Sequence, residues 1–219
     1  MKHLATSLAM ALFASAALAS GSGGGGGGMS SSPSMQPRDP HEQAVGYYNS
    51  GERQMEKATK ANADLKANTD ASKVDGLKSR LNKSLENAAA DFNRAIKADP
   101  NLYQAYSELG FCLRKLGHYD EALATYDKGL AIEPRWAPAI EYRGEALLGL
   151  GRVDDAKAAY TSLFDGDRAR ADILFDAMKA YSADHKDDAA LAKWVEERSA
   201  IHAQTAASTQ ASRDGIRSW

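Results

Sequence analysis

Cysteine is almost absent. Cys112 stands alone in 219 residues, so no intrachain disulfide can form. It lies between Phe111 and Leu113 at helical spacing, where the expectation is a small buried hydrophobe rather than a reactive thiol. An excess of either charge is also missing. The formal net charge is −2, which provides no basic surface for nucleic acid. β-Branched residues are few and alanine is plentiful, which favours helix. The patterns that carry chemistry are lacking as well. The histidines are His3, His41, His118, His185 and His202, and none pairs with another His or a Cys at metal-ligand spacing. There is no Gly-x-Ser-x-Gly elbow and no Gly-rich loop between a strand and a helix. Adjacent acids such as Asp154-Asp155, Asp187-Asp188 and Glu196-Glu197 suit solvated helix faces better than a catalytic pair. Catalysis, a metal and a cofactor are therefore not expected.

What is present begins with a basic start, Met1-Lys2-His3, and an uncharged apolar run from Leu4 to Leu18. The run is shorter than the about 20 residues that span a bilayer. Ala17-Leu18-Ala19 fits the small-x-small rule, so residues 1–19 are expected to be a signal peptide cut before Ser20. The alternative is an uncleaved anchor. No cysteine stands at the cut, which excludes a lipoprotein. Export without disulfide cysteines fits a bacterial periplasm. Residues 20–38 are rich in Gly, Ser and Pro, bury no core, and read as a disordered linker.

Structure is expected from Asp39, an N-cap followed by Pro40 and Glu42. Tyr48, Gly51, Met55, Ala58 and Leu65 form a narrow apolar stripe, and Ala67-Asn68-Thr69-Asp70 a break. A second stripe, Val74, Leu77, Leu81, Leu85, Ala88, Phe92 and Ile96, runs without a turn signal from about Ser72 to Ala98. The spacing predicts one continuous helix there, paired with the first into an elongated hairpin over 39–100.

Downstream, the order of residues repeats. Tyr106, Leu109-Gly110 and Leu113 precede Gly117-His118-Tyr119-Asp120-Glu121-Ala122, then Tyr126 and Pro134. Ile140, Gly144, Leu147, Gly151-Arg152-Val153-Asp154-Asp155-Ala156 and Tyr160 follow in the same order. Gly110 and Gly144 are 34 positions apart, a period that means stacked helical hairpins. This order resembles the tetratricopeptide repeat family. The repeats fall near 103–136 and 137–170, with a degraded copy at 171–204 where Met178 replaces the glycine and Asp187 is the expected N-cap of the last helix. Arg143 departs from the pattern, either snorkelling outward or finding an acid. Gly51 and Ala88 correspond to Gly110 and Ala122, but are 37 positions apart rather than 12.

The resemblance implies an all-α superhelix of hairpins, an α-solenoid spanning 39–204, whose first helices line a concave groove. By that geometry Gln104, Ser107, Phe111 and Arg114 face the groove, with Lys115 near its edge. Pro138, Glu141, Glu145 and Leu148 follow in the next repeat. The implied function is non-enzymatic capture of a protein or peptide partner. The Lys/Asn set with which chaperone-binding members grip a terminal carboxylate is absent: Ser107, Phe111, Pro138 and Tyr142 stand in those places. Self-assembly through the long hairpin, giving a homo-oligomer, is the alternative. Residues 205–219, Ala/Ser/Thr/Gln-rich and ending at Trp219, read as a disordered tail.

Overall fold

A computed structural model describes residues 39–68 and 70–216, with side chains as far as residue 204. The expected signal peptide at 1–19, the linker at 20–38 and Trp219 lie outside the described residues. Among the described residues there are eight helices and no strand. They are α1 (Pro40–Ala67), α2 (Ala71–Ala98), α3 (Tyr103–Lys115), α4 (Tyr119–Ile132), α5 (Ala137–Gly149), α6 (Val153–Gly166), α7 (Arg168–Asp184) and α8 (Ala189–Ile216). The fold is the all-α stack of helical hairpins expected from the repeat.

The first hairpin is elongated. Its arms have 28 residues each, against 13 and 14 in α3 and α4. Asp39 starts α1 by accepting from the His41 N–H at 3.1 Å, with Pro40 in the first turn. Asp70 starts α2 by accepting from both the N–H and the hydroxyl of Ser72. α2 passes through residues 82–86 without a break. The stripe on α1 is built from small residues, with Ala44, Gly51, Ala58 and Ala61 buried. Small side chains let α2 come close, and Leu85, Ala88, Phe92 and Ala95 fill the contact. A Cβ on Gly51 would stand 2.6 Å from Phe92 Cε1, so only glycine fits there.

The next two hairpins share one turn. Gly117 and Gly151 have φ of 87° and 71°, the left-handed region that glycine enters without strain. The His118 N–H donates to the Leu113 carbonyl and the Gly117 N–H to the Arg114 carbonyl, closing the end of α3 with a Schellman motif. Arg152 and Gly151 repeat both bonds at the end of α5. Arg143 finds an acid: its Nε donates to Asp127 at 2.7 Å, on an exposed edge.

Three boundaries differ from the sequence reading. α6 and α7 are joined by Asp167 alone, which ends one helix and caps the next by accepting from the Arg170 N–H. α7 therefore begins at Arg168 and draws Arg170 into the helix. Asp188 rather than Asp187 caps α8, accepting from the Leu191 N–H at 2.8 Å. The backbone of α8 continues past Gln204 to Ile216, over residues expected to be a tail. That segment contains no proline, and its one glycine is Gly215, so nothing local stops an alanine-rich helix.

Candidate functional site

The first helices α3, α5 and α7 pack side by side, and α1 reaches α3 where Cys112 Sγ meets Met55 Sδ at 3.4 Å. The eight residues expected to line a groove all come from α3 and α5. Four of them are buried: Ser107, Arg114, Glu141 and Leu148. They were expected to face the groove. Neighbouring first helices approach so closely that these positions form the seam between repeats. Phe111 is half-buried and meets Tyr142 edge-on, ring centroids 5.0 Å apart. Gln104 is half-buried and Glu145 partly exposed.

Two ion pairs tie the seam together. Arg114 Nη1 donates to Glu145 Oε2, linking α3 to α5. Arg170 Nη1 donates to Glu141 Oε2, linking α7 to α5. Both guanidinium carbons also lie 5.7 Å from the centroid of Tyr142. Glu141 is 2% exposed. Burial raises its carboxyl above the usual range, and the Arg170 guanidinium pulls it back. Ser107 Oγ, Arg114 Nε and Tyr126 Oη are buried without a hydrogen-bond partner within normal geometry. The last two lie near each other, and the Arg114 charge acts to lower the Tyr126 phenol while burial raises it more.

Beyond the seam, at the turn end of these helices, a cleft of about 360 Å³ opens between three hairpins. Arg114, Lys115, Tyr119, Glu145, Leu148 and Tyr181 are among its lining residues. Three of the eight expected residues thus meet here: Arg114, Glu145 and Leu148. Lys115 has its ammonium 5.4 Å from the Phe111 centroid. Burial and the neighbouring Arg114 charge both lower its affinity for a proton.

The opposite part of the same face is acidic, and sequence reasoning missed it. Glu108 on α3 lies within electrostatic reach of Glu52 on α1 and of the Tyr48 and Tyr142 phenols. Burial, then the Glu52 charge, pushes the Glu108 carboxyl up to about 8, with Arg170 opposing. Burial and the Glu56 charge raise Glu52, and the nearby Tyr48 phenol opposes them. Glu108 follows Ser107 directly, so the family register selected one and passed over its neighbour. Arg170 was missed because it stands at the expected end of a repeat. Its signal was Asp167, a residue able to cap a new helix.

Elsewhere, Cys112 is fully buried and its thiol is raised by burial, in keeping with a packing role. His202 stacks on Phe175 with centroids 4.6 Å apart, and its Nε2 lies 2.8 Å from Tyr160 Oη. This seats α8 on α6 and α7. Among the described residues no group of three His, Cys, Asp or Glu could hold a metal, and no helix is long and apolar enough to cross a membrane.

No curated protein matches the chain. The family model of the tetratricopeptide repeat matches residues 103–135, which are α3, its turn and α4. That matched segment is similar to the tetratricopeptide repeat, and further helical hairpins pack on either side of it.

Proposed function

We propose that the chain is an exported, non-enzymatic scaffold of the bacterial envelope that holds a partner polypeptide on the concave layer of first helices. The observation that carries this reading is the cleft of about 360 Å³ reaching across three hairpins. It combines half-buried tyrosines with charged side chains, a lining suited to polar polypeptide rather than to a small apolar ligand. The repeat family is one of interaction modules, and no catalytic constellation among the described residues competes with it. The export part rests on Lys2, the apolar run 4–18 and Ala17-Leu18-Ala19. Mass spectrometry of the mature protein from fractionated cells should find Ser20 first.

Self-assembly through the long hairpin needs an apolar face left over. The buried stripes of α1 and α2 are turned on each other instead. The test of the scaffold reading is the double variant Lys115→Glu, Tyr181→Ala. Both residues line the cleft, and neither is part of the buried ion pairs. Partner capture should be lost while the circular dichroism spectrum is unchanged. Undiminished capture in the folded double variant contradicts the reading.

A further inference from the structure

We propose that His202 is a proton-operated clasp: neutral, it holds the end of α8 against α6 and α7, and on taking up a proton it lets that end go. The clasp is separate from the cleft and does not depend on what the cleft binds.

Both ring nitrogens are engaged across helices. Nε2 lies 2.8 Å from Tyr160 Oη on α6, and Nδ1 lies 3.3 Å from Asp172 Oδ1 on α7. An ionised carboxylate only accepts, so Nδ1 carries the proton and Nε2 accepts from the phenol. The neutral ring satisfies both partners at once. A second proton turns Nε2 into a donor that faces a donor. The phenol can rotate to accept, but Tyr160 is fully buried, and its own proton then has no acceptor among the described residues. An unpaired buried donor is costly.

Each group around the ring that would stabilise an imidazolium already holds another cation. Asp172 shares the same oxygen with Arg168 Nε at 3.3 Å, and Asp176 pairs with Lys179 at 2.6 Å. Phe175 stacks on the imidazole at 4.6 Å, yet Lys179 Nζ lies 5.1 Å from that same ring. Phe164 meets the imidazole edge-on at 5.9 Å and carries Arg168 at 3.6 Å. Arg198, one turn earlier on α8, adds a third cation 5.7 Å from Tyr160. Three cations therefore surround two carboxylates before His202 is protonated. Burial lowers the affinity of His202 for a proton, Arg168 and Lys179 add to that, and Asp172 and Asp176 oppose. The released end binds a proton more readily than the docked one. Docking is thus full above the ordinary histidine range and weakens as pH falls through it.

The start of α8 has other anchors. Leu191 is fully buried, and Trp194 meets Tyr160 edge-on at 5.4 Å. Release is therefore confined to the part beyond Arg198, and it uncovers Phe164, Phe175 and the Tyr160 hydroxyl. Undocked, that length of helix is marginal in water, so its amides should exchange.

The experiment follows amide hydrogen exchange in the full chain, corrected for the intrinsic effect of pH, alongside NMR titration of the His202 ring. Protection at residues 198–204 should fall by about tenfold or more between about pH 7.5 and about pH 5.5, the effect of one unpaired buried donor. Protection in α4 and α5 should hold over the same range. His202→Gln keeps an acceptor for Tyr160 and a donor for Asp172 but does not titrate, so its α8 should stay protected throughout. His202→Lys carries a fixed charge, and its α8 should already be unprotected at the upper pH. Flat protection in the parent, or the parent's profile reproduced in His202→Gln, overturns the proposal. So does a His202 ring that titrates above an ordinary histidine, or α4 and α5 losing protection in step with α8.

Discussion

The ring of Tyr126 lies across Gly110, so close that a Cβ built on the glycine would come within 2.7 Å of ring atom Cδ1. Phe92 lies across Gly51 in the same way. The two hairpins therefore share one crossing, although 37 positions separate Gly51 from Ala88 and only 12 separate Gly110 from Ala122. Extra length was added beyond the crossing and left it intact. Gly110→Ala should destabilise the protein by about 1–3 kcal/mol, the usual cost of overpacking. Gly76 has open space where a Cβ would stand, with nothing within 4 Å, and should gain about 0.5–1 kcal/mol from the same change. Urea unfolding of both variants checks this, and equal effects of one sign would refute the close-contact explanation.

The Glu141–Arg170 pair gives a second prediction. Glu141 is 2% exposed, while side-chain exposure is 51% and 52% in the Arg152–Asp155 pair. Arg170→Met leaves a buried carboxylate uncompensated and should cost about 3 kcal/mol. Adding Glu141→Gln should recover most of that loss. Arg152→Met should cost less than about 1 kcal/mol, as for other surface pairs. Equal costs at the two sites would place Glu141 in solvent.

The half-buried Glu108 makes a pH prediction. Its folded-state carboxyl titrates at about 8, above the value of about 4.3 in an unfolded chain. Between those limits the native state binds more protons than the unfolded one, so this group's contribution to stability is full below the unfolded value and is lost as pH rises toward the folded one. Glu52 acts in the same direction. The urea midpoint should therefore fall more steeply from pH 5 to pH 8 in the parent protein than in Glu108→Gln. Parallel profiles would contradict the assignment.

Much of the fold was legible because it rests on local signals. The Gly117 turn, the Asp39 cap and the uninterrupted stripe from Val74 to Ile96 each need only neighbours in sequence. The site was less legible, because burial on a first helix depends on how closely the next repeat approaches. Ser107 and Glu141 read as groove residues, yet they lie in the seam. The same approach half-buries Glu108, whose near partners come from α1 and α5, distant in sequence. Arg170 became visible only once Asp167 was found to end one helix and begin the next. The end of α8 was misplaced because composition alone separates a polar helix poorly from a tail.

The most direct test of partner binding on the first-helix layer is site-specific photocrosslinking in cells of the source organism. A photoreactive residue placed at Lys115 or Tyr181, in the cleft, should yield discrete crosslinked species. The same residue at Lys128 or Thr161, exposed on the second helices α4 and α6, should yield none. Crosslinks formed equally from the second helices, or absent from the cleft positions, would contradict the account.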